Sequence, residues 1–290
     1  MKQTLSKYLL LIVSLVLISP GDCLAECQKR LFTRYPGIKE NYEAHYASCF
    51  KFPPICECLE GFQKCFDELS IILRYELSYD EKVYDKFLHG FPAKENGDLI
   101  LSKKTGIADI DEYIEFMNKN GLRINRSMDG LFIFSDPKYI VSNFRGILPD
   151  VILEYYLALN QDIEEGYESD AGFIIPWDTI RQKIIRYENF LKKVSIIDCY
   201  YLQRLAKEKI DLYLRSYLYG LDNSPALVEE TNRLEPEAQK SIEKFLKENT
   251  NSKYYKIVKL FYEKAKSNKL RFKTPDPEID GLLRKSRNYY

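Results

Sequence analysis

Apolar residues recur at intervals of three and four along most of the chain, which predicts a mainly α-helical protein. Near the N-terminus this pattern predicts two helices, 39–50 and Cys56–Tyr75, separated by the turn Lys51–Ile55. Pro53 and Pro54 support the turn, because a residue that precedes a proline is disfavoured in helical geometry. The two helices are therefore expected to form an antiparallel hairpin.

The spacing of apolar residues changes in the central part of the chain. Helices are predicted over Tyr79–His89 and Ile107–Asn120, on either side of the loop Gly90–Gly97. Alternating residues around Asp129-Gly130 then predict a β-hairpin, because Asp-Gly is a favoured two-residue turn. Its strands are expected at Leu122–Arg126 and Leu131–Ser135.

Helical spacing returns after the β-hairpin and continues almost to the C-terminus. Helices are predicted at Pro137–Phe144, Pro149–Asn160, Thr179–Lys193, Tyr200–Tyr219, Pro236–Asn249 and Tyr254–Asn268. The last two are expected to form a hairpin around a tight polar turn. The acidic segment Asp162–Asp170 is expected to be a solvated loop, although its carboxylates could instead line a cleft for general acid–base chemistry.

The fold class expected from these patterns is mainly α, with antiparallel helical hairpins, a small β-hairpin insert and a disulfide-rich N-terminal hairpin. Four segments are expected: a signal peptide (1–25), a cysteine-rich helical hairpin region (26–92), a small α+β segment (93–148) and a helical hairpin domain (149–290). A chain of 290 residues is long enough to bury a substantial core.

The first 25 residues have the features of an export signal. Lys2 and Lys7 precede the apolar run Tyr8–Ile18, which is too short to cross a bilayer comfortably, and Ala25 suits a cleavage site. The mature protein is therefore expected in the periplasm or outside the cell. A lipid anchor at Cys27 is a less favoured alternative, because Glu26 stands where lipoprotein processing needs a small residue.

Export favours disulfides, since they persist in oxidising compartments. Removal of the signal leaves six candidate cysteines: Cys27, Cys49, Cys56, Cys58, Cys65 and Cys199. In an antiparallel hairpin Cys49 and Cys58 could meet, Cys27 could join Cys65, and Cys56 and Cys199 could pair or stay free. Six cysteines allow fifteen connectivities, and a metal site that includes His45 stays open as a less favoured alternative.

Composition argues against several classes of function. The 43 basic and 43 acidic residues balance, and without a basic patch a nucleic-acid binder is disfavoured. The sequence contains no glycine-rich phosphate loop, no H-E-x-x-H and no G-x-S-x-G, so no catalytic residue, cofactor or metal is predicted. The 23 tyrosines suit helix packing and also protein-binding surfaces.

The single tryptophan lies in the stretch PWDTIRQ. Asp178 is expected to cap a helix that begins near Thr179, with Trp177 packed beside its first turn. Packing is the favoured role, and a ligand contact is the alternative that makes Trp177 and Asp178 candidate binding residues.

Two stretches carry a resemblance to known proteins. The block PEAQKSIEKFLKENTNSKYYKIVKLFYEKAK resembles the helical hairpins of tetratricopeptide-type proteins of bacterial envelopes, through Phe245-Leu246 and the turn Asn251–Tyr255. Between Gly130 and Lys269, the order GLFIFSDP, FIIPWD, YENFLKK and YLYGLDNSP resembles exported bacterial proteins of unassigned function. The resemblance implies a shared architecture and no chemistry.

These observations favour an exported protein that binds another protein, either as an immunity or inhibitor protein in the periplasm or as an envelope-assembly factor. The chain is more readily interpreted as a binding protein than as an enzyme. The alternative is a cell-wall hydrolase that uses carboxylates between Asp162 and Asp178.

Overall fold

The computed structural model describes residues 81–92, 105–107, 110–111, 114–115, 122–127, 130–146, 148–197 and 199–288. The chain divides into two compact units, and the division falls after Asn160. The first unit runs to Asn160 and includes Cys199–Tyr201, and the second comprises Gln161–Asp198 and Leu202–Tyr290. The predicted signal peptide, the helices 39–50 and Cys56–Tyr75, and the cysteines before Cys199 lie outside the described residues.

The described residues are mainly helical, with three small antiparallel strand pairs. In chain order the elements are α1 (Glu81–His89), β1 (Leu122–Ser127), β2 (Gly130–Ser135), α2 (Pro137–Phe144), α3 (Asp150–Glu165), β3 (Glu168–Ser169), β4 (Gly172–Phe173), α4 (Trp177–Val194), α5 (Tyr200–Tyr219), β5 (Gly220–Leu221), β6 (Ser224–Pro225), α6 (Pro236–Glu248), α7 (Tyr255–Lys266) and α8 (Pro277–Asn288).

The predicted β-hairpin is confirmed in the first unit. β1 and β2 are antiparallel, with Leu122 opposite Ser135 and Ile124 opposite Ile133. Alternate side chains of a strand face the same side, and Leu122, Ile124 and Ile133 are all buried. Asp136 then caps α2, since its side chain accepts a hydrogen bond from the backbone N–H of Lys138 at 3.0 Å.

The second unit is built from the end of α3 and the helices that follow it. α6 packs against both α4 and α7, and α7 packs against α8. Their buried faces repeat at helical spacing, as in Ile242 and Phe245 of α6 and Val258 and Phe261 of α7. The turn between α6 and α7 is short, so the two helices form the predicted hairpin.

Two short hairpins contact each other in the same unit. β3–β4 connects α3 to α4, and β5–β6 connects α5 to α6. The backbone N–H of Asn223 donates to the carbonyl of Ala171 at 2.8 Å, and the N–H of Phe173 donates to the hydroxyl of Ser224 at 2.9 Å. The connections therefore hold each other through hydrogen bonds between residues about 50 positions apart in sequence.

Several predicted element ends differ from the structure. α3 continues to Glu165 instead of ending at Asn160, and α4 begins at Trp177 instead of Thr179. The prediction of a solvated loop over Asp162–Asp170 is wrong in its first part, because Asp162 lies in α3 and is buried. The short strands β3 to β6 and helix α8 were not expected from the sequence, since each is too short or too polar to show a clear period.

Candidate functional site

The carboxylate of Asp162 is the centre of a buried cluster of charged and hydroxyl groups. It accepts hydrogen bonds from Lys183 Nζ at 3.1 Å and Arg186 Nη1 at 2.8 Å. The hydroxyls of Tyr187 and Tyr213 donate to its second oxygen at 2.8 and 2.6 Å. Four donors therefore converge on one carboxylate.

Glu165 completes the cluster one helical turn after Asp162. Its oxygens lie 2.8 Å from Lys183 Nζ and 2.9 Å from Arg186 Nη2. Burial favours a raised pKa for Glu165, but the hydrogen bonds from Arg186 and Lys183 outweigh burial, and the pKa is lowered. The two carboxylates and the two cations thus balance in charge.

Helical spacing explains why these groups meet. Asp162 and Glu165 are three residues apart on one face of α3, and Lys183, Arg186 and Tyr187 are three and four apart on one face of α4. Those two faces oppose each other, and Tyr213 reaches the cluster from α5.

The arrangement favours a packing role for these carboxylates. The side chains of Asp162 and Lys183 are 4% and 0% exposed, and a general acid or base must come within hydrogen-bonding reach of a substrate proton. Burial, followed by the Asp162 charge, raises the pKa of Tyr213, so this hydroxyl stays protonated as a donor. A fully satisfied buried network fixes one relative placement of helices.

The end of the acidic segment, Glu168–Asp170, is exposed. Glu168 and Asp170 lie in the β3–β4 hairpin at the surface. Asp170 and Ala171 form its turn with φ of 50° and 52°, and the carbonyl of Asp170 accepts a hydrogen bond from the side chain of Asn223. The candidate carboxylates between Asp162 and Asp178 are therefore spread over a buried cluster, an exposed turn and the start of α4.

Trp177 lies in the interior of the second unit and is 5% exposed. Its indole N–H donates to the carbonyl of Tyr217 at 3.1 Å, and its backbone N–H donates to Glu237 at 3.0 Å. Its ring meets that of Phe173 edge-on at 4.9 Å. These contacts place Trp177 where α4, α5 and α6 meet, and a ligand contact by Trp177 stays a prediction.

Asp178 does not cap α4, because the helix begins one residue earlier and the capping position belongs to Pro176. Its carboxylate instead accepts hydrogen bonds from Arg181 Nε at 2.6 Å and Lys244 Nζ at 3.0 Å. The Arg181 hydrogen bond is the main cause that lowers the pKa of Asp178 to about 2. Asp178 thereby links α4 to α6, and its role in binding stays a prediction.

Glu188, which lies on α4, fixes the turn of the α6–α7 hairpin. This side chain is 3% exposed and accepts hydrogen bonds from the hydroxyl of Ser252 and the backbone N–H of Lys253, both at 2.7 Å. A buried carboxylate needs such donors to offset its lost hydration. The hairpin is therefore held at its turn as well as along its apolar face.

The outer surface of the α6–α7 hairpin carries an open groove of about 450 Å³. We call it the hairpin groove, and its lining residues are Leu246, Tyr255, Lys259, Tyr262, Glu263, Lys266 and Ser267. None of these side chains is fully buried. The groove combines an apolar and aromatic floor with charged groups at its edge.

Tyr262 is held in place within the hairpin groove. Its hydroxyl donates to Glu243 of α6 at 2.6 Å, and Glu243 also accepts a hydrogen bond from Gln239 at 2.9 Å. Burial and the hydrogen bond to Glu243 raise the pKa of Tyr262 to about 12. Lys266 Nζ lies 5.2 Å from the centre of the tyrosine ring, within cation–π range. The ring of Tyr262 is therefore held in one position on α7.

The sequence contained a signal for this groove that the helical period alone did not reveal. Tyr255, Lys259, Tyr262 and Lys266 are spaced by four, three and four residues, so they form one stripe along α7. The buried residues of α7, such as Val258 and Phe261, form a different stripe. The sequence does not show which of the two stripes is buried, because this depends on which face of α7 packs against α6.

Cys199 is the one candidate cysteine among the described residues. It is fully buried and disulfide-bonded, and its partner lies outside the described residues. The pairings proposed for Cys27, Cys49, Cys56, Cys58 and Cys65 therefore stay predictions. In the part of the chain that the structure describes, no group of three or more His, Cys, Asp or Glu side chains is arranged to hold a metal ion.

Among the described helices, none combines the length and apolar character needed to cross a bilayer. No protein-family model, no curated protein and no solved structure matches this chain.

Proposed function

We propose that this chain is an exported protein-binding protein without catalysis, and that the hairpin groove is its binding site. The observation that carries the proposal is the groove itself, where Tyr255 and Tyr262 lie half-exposed beside lysines on the surface of a hairpin. Tyrosine and exposed apolar side chains are enriched in the cores of protein interfaces.

The buried contacts of the second unit support this choice. Asp162, Lys183 and Glu188 are occupied in holding helices and turns together. A rigid helical scaffold that presents one prepared surface suits recognition, because little ordering is then required when the partner binds. We further propose that the α6–α7 hairpin is tetratricopeptide-like and that it belongs to a larger helical stack.

Export and disulfides form part of the same proposal. The apolar run Tyr8–Ile18 supports a cleaved signal, so the secreted protein should begin at Glu26. The N-terminal cysteines would then close a stapled hairpin. An immunity or inhibitor protein and an envelope-assembly factor are the two roles that fit such a chain, and they differ in the partner.

Site-specific photo-crosslinking tests the binding site. A photoreactive phenylalanine analogue replaces Lys259 in the hairpin groove, and in a matched control it replaces Lys285, which is exposed on α8. After illumination with extract of the exporting cell, we expect a discrete adduct from position 259 that Tyr262→Ala weakens, and none from position 285. An absence of adducts at 259, or equal adducts at both positions, contradicts the proposal.

The hydrolase alternative needs its own assay. The purified chain is incubated with cell-wall fragments, and release of soluble sugars or peptides is measured. We expect no release above buffer. Release that is lost in Glu168→Gln or Asp170→Asn would favour the enzyme, and these exposed positions can be changed without disturbing the buried cluster.

A further inference from the structure

The hairpin groove has a chemical bias that points to a class of partner. Its floor is formed by Leu246 and the two tyrosines, and its rim carries Lys259, Lys266 and Glu263. Glu243 of α6 lies beside the groove, where it accepts the hydrogen bond of Tyr262. The volume of about 450 Å³ is enough for one or two large apolar side chains. The floor thus favours an apolar anchor, and the rim presents two lysines to a partner.

The surrounding sequence strengthens the positive charge. Residues 253–269 contain six lysines and one glutamate, in a chain whose total charge is zero. Lys264 is already paired with Asp276 at 2.7 Å and Glu278 at 2.8 Å. Lys259 has only a distant, exposed contact of 3.8 Å with Glu263. Lys259 is therefore available to a negatively charged partner, while Lys266 lies over the Tyr262 ring and interacts with the carboxylate of Glu243.

The spacing of Lys259 and Lys266 determines how far apart two negatively charged groups of a partner should lie. Lys259 and Lys266 are seven residues apart on α7, which corresponds to two turns, or about 10 Å along the helix axis. Two carboxylates separated by two turns of another helix match that distance. An apolar residue midway between them would lie over Tyr262.

We propose that the hairpin groove binds an acidic amphipathic helix of a partner protein, with carboxylates two turns apart and a large apolar side chain between them. This inference rests on the proposed function and adds the chemistry of the partner. Recognition of an amphipathic helix in a groove by spaced anchors is a recurrent mode of peptide binding. An anionic membrane surface would meet the same lysines, but the open hollow of about 450 Å³ has room for a single inserted side chain, which a flat bilayer does not supply.

Three designed helical peptides of equal length probe the proposal by fluorescence anisotropy with the full chain. The first has glutamates two turns apart around a leucine, the second replaces the leucine with glutamine, and the third replaces the glutamates with lysines. We expect the first to bind most tightly, the second about fivefold more weakly, and the third not at all. Added salt should weaken the first, because exposed charges are screened.

Matched variants assign that binding to the groove. Lys259→Glu combined with Lys266→Glu should weaken binding of the first peptide about tenfold or more. The control reverses two exposed lysines outside the groove, Lys240→Glu with Lys285→Glu, and should leave the affinity within about twofold. Unchanged thermal unfolding of both variants would show that folding is not the cause.

The outcomes separate this inference from the proposed function. Equal binding of all three peptides, or no binding of the first, overturns the acidic-helix proposal. If position 259 still crosslinks a partner, protein binding stands and only the chemistry is wrong. Binding of the chain to phosphatidylserine vesicles that the first peptide does not displace, and that the rim variant abolishes, would assign the lysines to a membrane surface.

Discussion

The ammonium group of Lys183 lies 3.1 Å from the carboxylate of Asp162, and the lysine side chain is completely buried. The two positions are 21 apart in sequence, and the contact joins α3 to α4. Lys183 Nζ also lies 2.8 Å from a carboxylate oxygen of Glu165, so this lysine forms ion pairs with two carboxylates. Removal of any one of the charged members leaves the others with an unbalanced buried charge.

Lys183→Met is expected to lower the free energy of unfolding by about 3 kcal/mol, because Asp162 and Glu165 then keep only Arg186 of their two paired cations. Asp162→Asn is expected to cost a similar amount. The double variant should cost less than the sum of the two, since Glu165 and Arg186 then remain as a balanced pair. Urea unfolding of the four proteins measures this coupling, and strictly additive losses would contradict it.

Asp178 should make stability depend on pH in the acid range. Its pKa is about 2 in the folded protein against an ordinary value of 3.8, so the charged form is favoured by folding. Its contribution is complete above about pH 5 and is lost as the pH falls through about 2. The difference in unfolding free energy between the wild type and Asp178→Asn should therefore be constant near neutrality and shrink toward pH 2. Glu208→Gln, in the exposed pair with Arg204, provides a control that changes stability little.

Ala171→Gly is expected to stabilise the protein by up to about 1 kcal/mol. Ala171 has a φ of 52°, a conformation that glycine adopts without steric cost and alanine does not. The gain is reduced by the greater freedom of glycine in the unfolded chain. Thermal unfolding measures the change, with Ala158→Gly in helix α3 as a control of opposite sign.

Glu188→Ala is expected to lower the unfolding free energy by about 2 kcal/mol, because the hydroxyl of Ser252 and the N–H of Lys253 both lose their acceptor. The same change should weaken peptide binding in the hairpin groove, since the turn of that hairpin is no longer fixed. Lys192→Ala removes only a 3.8 Å contact with Glu188 and should alter stability by less than about 0.5 kcal/mol. Denaturant unfolding of both variants provides the comparison.

The sequence predicted the elements that depend on local pattern. The β-hairpin was predicted from the alternating residues around Asp129-Gly130, although Gly130 lies in β2 opposite Ser127 and is not one of two turn residues. Helix α5 occupies Tyr200–Tyr219 as expected. The end of α3 was misread because its last residues, QDIEE, are polar, and polar residues usually lie at the surface. Their partners come from residues 21 to 51 positions away, so no local signal marks them as buried.

The candidate site was less predictable than the fold for a similar reason. Trp177 and Asp178 stood out by composition and capping pattern, yet their observed partners are Tyr217 and Lys244, on other helices. Tyr255 and Tyr262 share the helical period of buried residues such as Val258 and Phe261, so the spacing alone does not mark them as exposed. Which aromatic residues remain exposed depends on how α6 and α7 pack, and this is a property of the folded unit.

The position of Trp177 gives the protein its own optical reporter. It is the single tryptophan beside 23 tyrosines, and it is buried where α4 meets the carbonyl of Tyr217 and the carboxylate of Glu237. Separation of α4 from α5 or α6 would expose the indole to water and shift its emission to longer wavelength. Selective excitation of tryptophan therefore follows the unfolding of the second unit alone, while far-ultraviolet dichroism follows the helices of both units. A difference between the two unfolding midpoints would show that the units unfold one after the other.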